Sequence, residues 1–253
     1  MPAIQAPLLA IEGLRVRVGD REVLSGVDLM IAEGETHVLL GPNGSGKTTL
    51  LNTILGMPGY EVLGGDIRFR GASILRLSID ERARLGIGIA FQRPPAVRGV
   101  RLRQVMVAAA GGELADDDVS RISDELELDT MLDRDVNMGF SGGEAKRSEM
   151  GQLLAQKPAL SLFDEPESGV DLDNIAVVGG AIQHLLRGAS ASDPRRGGLI
   201  ITHTGHILKY VTADVGHVLY EGTIACKGNP LDLIGDITRQ GYEKCVECAT
   251  CRQ

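Results

Sequence analysis

Long apolar runs are missing from this chain of 253 residues, and no uninterrupted stretch reaches the length needed to cross a bilayer. The opening residues, Met1-Pro2-Ala3-Ile4-Gln5, lack the charged n-region of a secretory signal. Both absences predict a cytoplasmic protein with no direct membrane insertion, free to dock on a membrane protein. Excess positive charge is missing too. Lys and Arg number 26 against 34 Asp and Glu, and the net charge of −8 argues against general binding to nucleic acid or to an anionic membrane. Tryptophan is absent, yet apolar residues make up 43%, ample for one large α/β domain with inserted subdomains. Cysteine is scarce, with four in all and three in the last nine residues, so a disulfide framework is not expected in a large cytosolic chain. The spacing Cys245-x-x-Cys248-x-x-Cys251 suits metal ligation. It would hold zinc with a fourth ligand, or it is the first part of a ferredoxin-type iron–sulfur run lacking its last cysteine. Cys226 is the candidate to complete the set. A redox-exposed tail without metal is the plain alternative.

What the chain does contain is a phosphate-binding loop. Gly41-Pro42-Asn43-Gly44-Ser45-Gly46-Lys47-Thr48-Thr49 fits the pattern G-x-x-x-x-G-K-[ST]. The glycines let backbone N–H groups turn inward around phosphate oxygens. Lys47 would reach the β- and γ-phosphates as a point charge, and the Thr48 hydroxyl would ligate Mg²⁺. Residues 36–40 before the loop read as a buried strand. Residues 49–55 after it read as a helix whose N-terminal dipole adds to the anion site. That context sets the run apart from a chance match in a glycine-rich chain.

Further motifs follow in order. Phe140-Ser141-Gly142-Gly143-Glu144 precedes the apolar segment 159–163, then Asp164-Glu165-Pro166 and Ser168-Gly169-Val170-Asp171, and later Ile200-Ile201-Thr202-His203. The ordered set resembles the ATP-binding-cassette (ABC) ATPases, with their Walker A loop, signature, Walker B strand, D-loop and switch histidine. The resemblance implies an α/β fold of the P-loop NTPase class: a mainly parallel core sheet, an antiparallel β subdomain and an inserted helical subdomain. It also implies ATP hydrolysis with Mg²⁺. Asp164 would hold the metal through its water, and Glu165 is the candidate general base. Gln92 would sense the metal and the γ-phosphate, and His203 would contact the γ-phosphate. Ser141, Gly142 and Gly143 would cap ATP bound to a second subunit, and Asp171 of the D-loop joins the nucleotide-binding set. A transient ATP-dependent homodimer is thus implied. Taken alone, a strand-end carboxylate or a single histidine reads as structural, and only the ordered set favours chemistry. His37, His184, His206 and His217 have no ligand spacing and read as structural. Val18 stands where many ABC ATPases place an aromatic residue on adenine, so weaker base recognition and a less secure preference for ATP over GTP are expected.

Along the chain, 14–18 and 22–24 read as alternating strands around the turn Gly19-Asp20. Gly65–Gly71 reads as another short strand. Residues 86–92 read as a core strand ending in the Q-loop position. From about 93 to 140 the pattern is helical, matching the inserted subdomain. Val105, Met106 and Ala109 share one face, Val119, Ile122 and Leu126 another, and Asp129 is placed to cap a further short helix. Asp116-Asp117-Asp118 suits a solvated helix start. After Ser141, helices and strands alternate again, as in a parallel sheet. The ABC domain is expected over 1–242, with a cysteine-rich tail over 243–253.

The sequence around the motifs narrows the resemblance. The signature continues as Gly143-Glu144-Ala145-Lys146-Arg147-Ser148-Glu149-Met150, and the D-loop region is Glu167-Ser168-Gly169-Val170-Asp171-Leu172-Asp173. The Q-loop reads Phe91-Gln92-Arg93-Pro94-Pro95, and Gly241-Tyr242 closes the domain. This ensemble resembles the SufC group, the soluble ABC ATPases of SUF iron–sulfur cluster assembly. It implies a SufB- or SufD-like scaffold as partner, docked around 92–103. Lys146 is expected to approach Glu165 in a regulatory ion pair that restrains the base. The alternative is the nucleotide-binding subunit of a membrane ABC transporter, which would share every catalytic motif. A non-hydrolytic clamp is disfavoured by Glu165, and a DNA-acting ATPase by the acidic balance.

Overall fold

The computed structural model describes residues 6–188 and 192–247. Alternating apolar side chains build the first hairpin. β1 (Leu9–Val18) and β2 (Arg21–Ile31) pair antiparallel and bury Leu9, Ile11, Leu14 and Val16. β3 (Thr36–Leu40) is buried at every position. Its two-residue period sends Val38 and Leu40 into one core and Leu39 into another. After the glycine-rich loop comes α1 (Lys47–Leu55). β4 (Tyr60–Phe69) is longer than the Gly65–Gly71 strand expected. Gly65, at φ 83°, does not begin the strand; it sits inside it, where the β1 register slips between Glu12 and Arg15. β5 (Ala72–Ser73) completes a four-stranded sheet in the order β2-β1-β4-β5.

α2 (Ile79–Arg84) was not expected, because six residues are too few to show a helical period. Its Ser78–Glu81 capping box was nevertheless written in the sequence. β6 (Ile87–Ala90) follows, then α3 (Leu102–Ala109), α4 (Asp116–Leu126) and α5 (Gly142–Gln156). Three aspartates fill the first turn of α4, and Val119, Ile122 and Leu126 are buried. Asp129 caps no helix. Residues 129–133 form turns, and its carboxylate accepts a hydrogen bond from Ser123 Oγ at 2.7 Å.

The chain ends through β7 (Leu160–Asp164), α6 (Leu172–Arg187), β8 (Gly197–Ile201), β9 (Val215–Tyr220), β10 (Thr223–Gly228) and α7 (Pro230–Glu247). The main sheet has the order β10-β9-β3-β8-β7-β6, parallel except for the β9–β10 pair. One core lies between this sheet and helices α3 to α7, and the other between it, α1 and the antiparallel sheet. α7 kinks at Gly241 (φ 83°) and continues to Glu247, so residues 243–247 are helical. Among the described residues, no helix is long and apolar enough to cross a membrane.

Candidate active site

Four adjacent parallel strands deliver the site from their C-terminal ends, where open α/β sheets bind ligands. β3 runs into the glycine-rich loop, β8 into Thr202 and His203, β7 ends at Asp164, and β6 leads to Phe91 and Gln92. A Cβ on Gly41 would lie 2.3 Å from the Leu219 carbonyl oxygen and 2.7 Å from Ser45 Oγ, so only glycine lets the loop pass so close to β9. Gly46, at φ 109°, caps α1. Asn43, Gly44 and Thr48 are exposed, and Lys47 is buried. Lys47 Nζ donates to the carbonyls of Gly41 (2.8 Å) and Pro42 (2.9 Å). Burial lowers the Lys47 pKa to about 8, against the opposing pull of Glu165 and Asp164. A phosphate in the loop would push it back up.

Ser45 Oγ and Asp164 Oδ1 are buried with no hydrogen-bond partner among the described residues. Burial and the neighbouring Glu165 raise the Asp164 pKa, while Lys146 and Lys47 lower it. A buried carboxylate oxygen left without a partner and a hydroxyl at the first turn of α1 are the hard oxygen donors that Mg²⁺ takes, so these residues fit the metal.

Glu165 has a left-handed backbone, at φ 47°, a conformation rare outside glycine. Its Oε1 pairs with His203 Nε2 at 2.7 Å, and its Oε2 accepts from Gln92 Nε2 at 2.7 Å. Gln92, Glu165 and His203 thus converge from three strand ends. The expected ion pair between Lys146 and Glu165 does not form. Lys146 Nζ instead donates to the Phe91 carbonyl. Lys146 is buried beside the end of β6, which lowers its pKa, and Glu149 is the carboxylate that acts on it most. Glu149 is itself raised to about 7 by burial, opposed by Lys146 and the Phe91 N–H.

Ser141 caps α5 by a reciprocal pair of bonds, Glu144 N–H to Ser141 Oγ and Ser141 N–H to Glu144 Oε2. Gly142 packs where a Cβ would be 2.5 Å from the Gly169 carbonyl, and Gly143 where it would be 2.5 Å from the Asn174 side chain. Asn174 in turn donates from N–H and Nδ2 to Asp171, which caps α6. Signature and D-loop are therefore one packed unit.

The ABC transporter family pattern matches residues 24–168. The chain belongs to the ABC ATPase family. A "Probable ABC transporter ATP-binding protein" of Streptococcus pyogenes is 38% identical over 246 residues, 93% of each chain. A "Probable ATP-dependent transporter SufC" of Escherichia coli is 38% identical over 248 residues, 93% of this chain and 97% of that one. A "Probable ATP-dependent transporter ycf16" of Trieres chinensis is 36% identical over 94% of this chain and 97% of its own. A nucleotide-free ATP-binding cassette from an ABC transporter superposes with a TM-score of 0.75 at 25% identity, over 95% of this chain and 98% of that one. A bacterial Atm1-family exporter with ATP bound shares the fold, with a TM-score of 0.75 at 21% identity over 44% of its length.

Four features of this ABC ATPase were not legible as site residues. Glu149 bonds the Phe91 N–H, and Asn174 links signature to D-loop. Thr202 Oγ1 donates to Glu167, tying the residue before His203 to the segment after Glu165. Arg82 lies under α1. Glu149 left a trace, three residues after Lys146 on one helix, and Thr202 left one by standing next to His203 in its motif. Val18 is half-buried, opposite Tyr60 in register. Cys245 is buried against the helical core. Cys226 on β10 is disulfide-bonded, although a disulfide framework was not expected, and it therefore offers no free thiolate as a fourth ligand. Cys248 and Cys251 lie outside the described residues. Among the described residues no three His, Cys, Asp or Glu side chains gather as a metal site.

Proposed function

We propose that this ABC ATPase hydrolyses ATP in the cytoplasm to change the conformation of a SufB- or SufD-like scaffold during iron–sulfur cluster assembly. The carrying observation is the 38% identity to a protein named SufC along 93% of this chain. It agrees with the SufC-type residues that flank the signature and D-loop. In the hydrolysis, Glu165 takes the proton of a water whose oxygen bonds to the γ-phosphorus as the bond to ADP breaks. Residues 41–49 cradle the phosphates, with Lys47 compensating their charge. Thr48, Asp164 and Gln92 would hold Mg²⁺, which when bound would supply further charge compensation to the phosphates. His203 releases Glu165 and turns to the γ-phosphate. Ser141, Gly142, Gly143 and Asp171 cap the nucleotide of a second copy in a transient homodimer.

The scaffold docks beside the Q-loop. A groove of about 320 Å³ lies there, lined by Leu55, Ile79, Ile89, Phe91, Val97 and Val105. Ile79 and Val97 are large apolar side chains left exposed at it. The names of the relatives favour a second reading, the nucleotide-binding subunit of a membrane transporter, which would use the same groove. An anaerobic pull-down of the tagged protein from its native cells, with soluble and membrane fractions separated, decides between them. A soluble SufB- or SufD-like partner that stimulates hydrolysis is expected. Recovery with an integral membrane permease would replace the assembly reading with the transport one.

A further inference from the structure

The Phe91 peptide is held on both sides by the helix that starts at the signature. Its N–H donates to Glu149 Oε1 at 2.7 Å, and its carbonyl accepts from Lys146 Nζ. The two side chains stand three residues apart on α5 and so share one face. Both are nearly sealed from solvent, at 5% and 3% exposure. The residue after Phe91 is Gln92, whose Nε2 is bonded to Glu165. A continuous line of contacts therefore runs from α5 through the Phe91 peptide and Gln92 to the carboxylate.

Burying a carboxylate is costly, and an apolar side chain of the same volume would pack here at less expense in free energy. What the carboxylate adds is an acceptor for the backbone N–H of the residue just before the Q-loop glutamine. Its other oxygen, Oε2, is buried with no hydrogen-bond partner among the described residues. The packing of α5 against β6 thus tolerates an orphaned acceptor in order to keep the bond to Phe91.

We propose that Glu149 is a positioning residue for hydrolysis: with Lys146 it clamps the Phe91 peptide and so sets Gln92 against Glu165. Glu149 and Phe91 both line the groove beside Val97, so a partner helix seated there bears directly on the clamp. Glu149 acts only through the peptide it holds. Its effect on turnover depends on Glu165 being the base, as assigned above.

The test uses the full-length chain with Glu149→Ala, Glu149→Gln and Glu165→Gln. It reads steady-state kcat and KM for ATP, and hydrogen exchange of the Phe91 amide. Glutamine keeps a carbonyl acceptor for the Phe91 N–H, and alanine removes it. Expected for E149A is a fall in kcat of about tenfold, the scale of a small misplacement in a site, with KM within about twofold and the amide protection lost. E149Q is expected to keep most of both kcat and protection. Should E149A not fold, Glu149→Met keeps the volume without the acceptor and is expected to behave as E149A. Wild-type kcat in E149A or E149M overturns the clamp, as does equal loss in E149Q and the apolar variant with Phe91 still protected. E165Q separates the two assignments. If it is inactive while E149A turns over normally, only the clamp fails. If E165Q itself turns over normally, the base assignment fails first.

Discussion

Glu165 is bracketed by an imidazole on one oxygen and an amide on the other, both at 2.7 Å. Such a carboxylate is oriented but engaged, and it can accept a proton only when a partner lets go. Glu165→Gln keeps the shape and hydrogen-bonding reach of the side chain and removes its basicity. The expected outcome is a fall in kcat of about 10² to 10⁴, the usual range for a lost general base, with nucleotide affinity nearly unchanged. Single-turnover hydrolysis beside a fluorescent-nucleotide titration measures both, and wild-type turnover would dismiss Glu165 as the base. At this scale the contiguous motifs were legible, because residues 41–49 and 164–165 form their geometry with near neighbours. The partner of Lys146 was not. Sequence gives the charge of a side chain but not its direction, and Phe91 lies 55 residues away.

Elements announced themselves by how they are buried. β3, β7 and β8 are buried at every position and so appear as short, largely apolar runs ending at the candidate site loops. α2 and the first half of β4 left weaker marks, one being too short and the other only half-buried. Yet α2 supplies the support of the loop helix. Arg82, 3% exposed, donates to the carbonyls of Thr53 (2.8 Å), Ile54 (2.7 Å), Leu77 (3.0 Å) and Leu75 (3.2 Å). The first two end α1, where helical carbonyls lack partners and positive charge suits the dipole. Arg82→Ala would strip these carbonyls of their guanidinium donors, with only Thr53 keeping the Gly56 N–H, and would open a cavity under α1. A loss of about 2–4 kcal/mol is expected, read as a lower midpoint in urea unfolding with unchanged slope. Arg82→Lys should recover little of it, since an ammonium lacks the planar fork that reaches four acceptors. Full recovery by lysine would mean that charge alone matters there.

At the scale of the whole molecule, a pair of buried histidines links the neighbouring strands β3 and β9 in the middle of the main sheet. His37 on β3 and His217 on β9 stack with ring centroids 5.0 Å apart, and His37 Nδ1 lies 2.9 Å from His217 Nε2. β3 leads into the phosphate loop and β9 passes against it at Gly41. Burial lowers the His217 pKa to about 3, and it lowers that of His37 as well although Glu35 beside it pulls upward. In the unfolded chain each returns to about 6.5. Between those values the unfolded state binds more protons, so stability rises with pH across the window and falls as the solution is acidified below about 6.5. Glu149 has the opposite sign. Its folded pKa, raised to about 7, gives a contribution present at low pH that is lost as pH rises towards 7. A comparison with Glu149 intact in both proteins cancels that slope. Urea unfolding of the wild type and His217→Gln at pH 7.5 and pH 5.0 is the measurement. The loss between the two pH values should be smaller in the variant by about 2 kcal/mol, the value of one and a half pKa units. Equal losses in the two proteins would mean that His217 takes up its proton without unfolding, and the neutral stack would have to be abandoned.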